Sequence, residues 1–194
     1  MVSGLALDYA GSMDSLPELH PRQLYVIVAP RAIACPWMTN IIARLALAGP
    51  VRVLDGGNCF DALGLARELS GQTPSLEAAL GRVTLARAFT CYQMAALLAP
   101  QPASLQPVII LDLLTTFYDE NVPRNERLWL LDACLEHLET LRQHVPLAVS
   151  AHPSPSRPAG ADELLSRLTA HADQVWQFAA SSQSSTDESQ PRLL

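Results

Sequence analysis

Unbroken aliphatic runs, each closed by a turn residue, recur along the chain and alternate with stretches of helical period. "LYVIVA" at 24–29, "VRVLD" at 51–55, a run at 83–86, "PVIILD" at 107–112, "PLAVSA" at 146–151 and "QVWQF" at 174–178 read as strands. The central ones lack polar alternation, as expected of strands buried on both faces. Between them lie helical patterns. "TNIIARLALAG" ends at Gly49 with Pro50 beyond it as a stop, and "FDALGLARELSG" ends at Gly71. "CYQMAALLA" follows the third strand. "NERLWLLDACLEHLETLRQH" carries Leu128, Leu131, Leu135 and Leu138 at three- and four-residue spacing, and "ADELLSRLTAHA" precedes the last strand.

Strands alternating with helices predict a three-layer α/β domain over residues 23–179, with a mostly parallel sheet and helices on both faces. Residues 1–22 are polar and turn-rich and read as an irregular segment, and the Ser/Gln-rich 180–194 reads as a disordered tail. Neither an internal repeat nor a second domain is visible. Ligands in such folds bind at the carboxyl ends of strands, so the loops after Ala29, Asp55, Asp112 and Ala151 hold the candidate chemistry.

Charge narrows that chemistry. The formal net charge is −6, and all 13 Lys-plus-Arg positions are arginine. Without a lysine there is no P-loop lysine, no Schiff-base lysine and no lysine general base. An acidic chain also makes a poor nonspecific nucleic-acid binder by itself. The four cysteines, Cys35, Cys59, Cys91 and Cys134, are scattered without ligand spacing, so reduced and mostly buried thiols are expected rather than zinc or disulfides. His20, His137, His144 and His171 have no partner at ligand spacing and read as structural or surface groups. No apolar run reaches membrane-spanning length, and no basic residue precedes the short apolar piece at the N-terminus, so a cytoplasmic protein off the membrane is the expectation.

"RVTLARAFTCYQMAALL", then "PVIILDLLTTFYDE", a long helix and "VPLAVSAHP" together resemble the core of the RecA/RadA recombinase superfamily over residues 24–178. Arg87-Ala88-Phe89 with Gln93, and the stretch 109–118, carry most of the likeness. The resemblance implies a RecA-like domain whose P-loop, G-x-x-x-x-G-K-T, falls on Ala29 to Pro36. Ala29 and Ala34 then take glycine positions, Arg31 lies between them, Cys35 takes the lysine and Pro36 the hydroxyl residue.

Each change damages a separate function of such a loop. Alanine hinders the backbone geometry that surrounds a phosphate, Cys35 brings no positive charge, and Pro36 has neither a hydroxyl for Mg²⁺ nor an N–H. Pro36 remains natural as a first helical residue. The family's catalytic glutamate falls near Gly57, and its γ-phosphate-sensing glutamine falls near His152 or Pro153. Asp112 takes the Walker B position, where the family orients Mg²⁺. Its other reading is a strand-end cap bonded to the 113–116 backbone, and Asp55 reads as a turn aspartate.

The family's DNA-facing loops fall on "YDENVPRNER", with Arg124 and Arg127, and on "HPSPSRPAG", with Arg157; solvated surface is the other reading of these arginines. Arg82 and Arg87 flank the third strand and can pair with Asp55 or Asp112. The expectation is a pseudo-ATPase: a RecA-like accessory protein of a DNA recombination or repair assembly, without a cofactor. It would work through a recombinase-like partner or a second copy and meet DNA only indirectly, as recombinase paralogues and Shu-type subunits do.

Two alternatives remain. One is a paralogue that still binds ATP and Mg²⁺ weakly. The other is a thiol-transfer enzyme, because "ACPWM" resembles the Cys-Pro-aromatic turn of glutathione-transferase and glutaredoxin-type folds and would make Cys35 a nucleophile. Residues 83–151 do not read as the mixed antiparallel sheet that second alternative requires. An exposed Trp129, Trp37 or Trp176 would mark a partner surface.

Overall fold

Side chains alternate across each central strand, and that alternation sorts the interior into two cores on either side of one sheet. The computed structural model describes residues 3–6, 18–99, 106–153 and 160–178. Its strands are β1 (Ser3–Ala6), β2 (Leu24–Val28), β3 (Val51–Asp55), β4 (Val83–Arg87), β5 (Val108–Leu111), β6 (Leu147–Ala151) and β7 (Gln174–Gln177). They form one sheet in the order β1-β7-β2-β6-β5-β3-β4, and every pairing is parallel.

The helices are α1 (Arg31–Ala48), α2 (Ala62–Ser70), α3 (Leu76–Leu80), α4 (Cys91–Leu98), α5 (Arg124–Arg142) and α6 (Ala161–Ala170), with a 3-10 turn at Leu113–Phe117. α1, α2 and α3 cover one face, against Tyr25, Ile27, Val53 and Ile109; α4, α5 and α6 cover the other, against Val26, Leu54, Ile110 and Val149. This is the expected three-layer α/β architecture, consistent with a RecA-like fold. No helix among the described residues is long and apolar enough to cross a membrane.

Two boundaries depart from the sequence reading. Residues 1–22 are not wholly irregular, because Ser3–Ala6 joins the sheet in register with Gln174–Gln177. Four small or aliphatic residues give too short a pattern to register as a strand, and its pairing with β7 spans nearly the whole chain. The second departure matters more for function: α1 begins at Arg31, not near Thr39. Pro36 is therefore inside the helix rather than at its start, a correction of its expected position. A proline there removes the bond its N–H would have made to the Ala32 carbonyl. Burial of Ala34, Met38, Ile41 and Ile42 against the sheet offsets that loss. The polar tail from 180 and the loop holding Arg157 lie outside the described residues.

Candidate functional site

The connection from β2 runs past β6 and β5 to β3 while that from β6 turns back past β2 to β7, so the carboxyl ends of β2, β6, β5 and β3 are where folds of this kind place their chemistry. Four of the predicted residues meet there or beside them: Ala29, Arg31, Cys35 and Asp112. Ala29 is buried, and its N–H donates to the Ala151 carbonyl, zipping the ends of β2 and β6 together.

Asp112 is the hub. Its backbone is left-handed, φ 54° and ψ 54°, a conformation that Asp tolerates better than most residues. Its N–H donates to Ser150 Oγ at 2.9 Å. The carboxylate is nearly sealed from solvent, with Arg31 Nε at 2.9 Å from Oδ2 and His152 Nδ1 at 2.5 Å from Oδ1. The Cys59 thiol donates to Oδ2 at 3.7 Å. These contacts correct the reading of Asp112 as a cap on the 113–116 backbone, since the side chain makes no capping bond to the turn that follows.

Burial works to raise the Asp112 pKa, but the hydrogen bond and charge of His152, with bonds from Thr115 and Arg31, hold it below the usual carboxylate range. His152 is oriented in turn. Tyr118 Oη donates to its carbonyl at 3.0 Å, the two rings meet edge to face at 6.0 Å, and Thr115 Oγ1 is 3.5 Å from Nδ1. Sequence reasoning placed His152 only as a position that had lost a glutamine. Its pairing with Asp112 joins two strand ends and is invisible before the strand order is known.

A second buried carboxylate supports the neighbouring loop. Asp55, fully buried, accepts from Cys59 N at 2.9 Å, Phe60 N at 3.1 Å and Arg87 Nε at 3.3 Å. It is the expected turn aspartate, and Arg87 is its expected partner. Asp55→Ala leaves two loop N–H groups without acceptors, and we expect a loss of about 2 kcal/mol, measured by urea denaturation. Arg82 instead donates to the Ala46 and Leu47 carbonyls near the end of α1.

The remaining candidates divide. Ala34 is buried beneath α1, Cys35 is half-buried, and Pro36 is on the solvent side. Arg127 is corrected: it is 4 % exposed, with Nη1 donating to the Phe117 carbonyl at 3.2 Å, so it supports the 3-10 turn rather than facing DNA. Arg124 begins α5 and pairs with Glu163 of α6, which ties two helices together. Trp129 is exposed, Trp37 is partly covered, and Trp176 is buried against Tyr25.

The residues present do not fit a triphosphate held as a P-loop would hold it. Such a loop turns consecutive backbone N–H groups toward the anion. Here the segment is helix, and the N–H groups of Ile33 and Ala34 already donate to the Pro30 carbonyl. The Arg31 guanidinium bridges Asp112 and the Gly57 carbonyl. Among the described residues no group of three or more His, Cys, Asp or Glu side chains is placed to hold a metal ion. The all-parallel sheet also runs against the thioredoxin-type alternative for Cys35. Neither protein-family models nor curated proteins match the sequence.

Proposed function

We propose that the chain is a non-catalytic, RecA-like accessory subunit of a DNA recombination or repair assembly, working through protein–protein contacts. The observation that carries this reading is a set of exposed aromatic side chains on the turn after β4, on α4 and on α5. Phe89 is 73 % exposed, Tyr92 46 % and Trp129 68 %. Monomeric surfaces seldom display large aromatics together, whereas interfaces are enriched in them.

Hydrogen bonds order the segments that carry the first two of these rings. Thr90 caps α4 by accepting from Gln93 N at 3.2 Å, and Gln93 Oε1 accepts from Phe89 N at 2.8 Å. Tyr92 Oη donates to Glu126 at 2.8 Å, and Glu126 shares a face of α5 with Trp129, three residues on. The adjoining edge strand β4 exposes Leu85. A recombinase-like partner, or a second copy of this chain, is the occupant this reading requires, and DNA is reached through that partner.

The test pairs a binding measurement with a nucleotide measurement. Phe89→Ala/Trp129→Ala should keep its melting temperature within about 2 °C of wild type, because both rings are exposed. It should bind a partner bearing an intact G-x-x-x-x-G-K-T loop at least about tenfold more weakly. Millimolar ATP with Mg²⁺ should not move the melting point. A rise of several degrees, or ATP hydrolysis, refutes the pseudo-ATPase reading.

A further inference from the structure

β4 ends the sheet, and its outer margin has no neighbouring strand among the described residues. On its inner side Val51 N–H donates to the Arg82 carbonyl and Ala88 N–H donates to the Asp55 carbonyl, each at 3.0 Å. Between those two bonds Val83–Arg87 runs in unbroken register beside Val51–Asp55. Alternation along a parallel strand therefore commits the amide and carbonyl groups of Thr84 and Ala86 to β3, and turns those of Val83, Leu85 and Arg87 to the open margin. The usual guards of such an edge are missing. β4 has no proline, no lysine and no bulge, and its one charged side chain, Arg87, is engaged by Asp55. Thr84 and Leu85 are both exposed.

We propose that β4 pairs antiparallel with β4 of a second copy, about a two-fold axis through Leu85, and so joins two sheets into one. The strand's own sequence selects this occupant. Its outward-facing residues are spaced evenly about Leu85. The two-fold sets Val83 opposite Arg87 of the second copy, Leu85 opposite Leu85, and Thr84 opposite Ala86. Every outward N–H then meets a carbonyl, about six bonds in all. No like charges face each other across this seam, which is what would otherwise forbid self-pairing. The two Leu85 side chains meet at the axis, on the face covered by α1, α2 and α3, where Val83 already packs. Two residues further along the same register, the exposed Phe89 comes level with Gly81 of the second copy, which has no side chain to obstruct the ring. A contact of this symmetry closes at two copies.

The pairing needs no recombinase, and Tyr92 and Trp129 take no part in it. Loss of partner binding and loss of this dimer are therefore separate results.

The test measures the mass of the full-length chain alone by sedimentation velocity, from about 1 to about 200 µM, the range suited to a small interface. A chain of 21.0 kDa should move toward twice that mass as concentration rises. Leu85→Pro removes the central outward N–H and none that β3 uses, and should weaken the dimer at least about tenfold. Leu85→Lys keeps the N–H but sets two cations face to face at the axis, and should also weaken it at least about tenfold. A monomer at every concentration, a mass that climbs past two copies, or a dimer indifferent to the substitutions overturns the proposal. The lysine variant, altered only in a surface side chain, decides if the proline variant fails to fold.

Discussion

Asp112→Ala is expected to lower the unfolding free energy by about 3 kcal/mol, read from urea denaturation at neutral pH. The substitution removes the acceptor shared by Arg31, His152 and Cys59 in one step. The full loss typical of a broken buried ion pair, about 3–5 kcal/mol, does not apply, because the Arg31 side chain is 47 % exposed and water can take over its charge. His152, only 16 % exposed, has less recourse. Alanine is also less at ease than aspartate in the left-handed backbone at this position, which costs about 1 kcal/mol more.

Asp112→Asn keeps the shape and the backbone tolerance and should lose about half as much. It also isolates the charge. The folded-state pKa of Asp112 lies below its ordinary value of 3.8, so the folded chain binds fewer protons than the unfolded chain in that window. The stabilisation is complete above that pH and is lost as pH falls through the depressed value. Acid titration of the wild type should show this loss, and the asparagine variant should show a shallower acid limb. Superimposable acid limbs for the two proteins would remove the carboxylate from the stability account.

Gly57→Ala should be as costly, about 3 kcal/mol, for a steric reason. A Cβ at Gly57 would sit 2.2 Å from Asp112 Oδ2, 2.5 Å from Asp112 Cβ and 2.7 Å from Arg31 Nη2. The arginine tip can move aside, but Asp112 is gripped from several directions and cannot. Gly49→Ala is the control, since nothing lies within 4 Å of its Cβ and the φ of 177° is ordinary extended backbone. It should be neutral within about 0.5 kcal/mol. Combining Gly57→Ala with Asp112→Gly removes the atoms the new methyl strikes, so the pair should cost less than the sum of the singles. Strict additivity would show that the two residues do not share this space.

The strands were legible because each central one is an uninterrupted aliphatic run, and burial on both faces permits nothing else. Their order was not. It decides that Arg31, Asp112 and His152 converge, and no spacing in the sequence encodes that. The start of α1 was misplaced because Pro36, preceded by a cysteine, looks like the beginning of a helix, and a phosphate-loop template favours a loop just before it. The packing of Ala34 and Met38 under the sheet outweighs that local signal. Arg127 misled for a related reason. Its spacing puts it at a loop edge, but the helix turn rotates it inward, where Phe117 supplies a carbonyl. The exposure of Trp129 could be posed only as a question, since a tryptophan within a leucine-rich helix has no assigned face until the helix is docked.

β1 behaves as a hem. It pairs with β7 along a single short seam, Ser3 to Ala6 beside Gln174 to Gln177, and covers that margin of the sheet. Unpicking it bares a row of amide and carbonyl groups that a strand from another molecule can occupy in the same direction. Deletion of Ser3–Ala6 is thus expected to promote strand exchange and concentration-dependent self-association, read by light scattering across a dilution series.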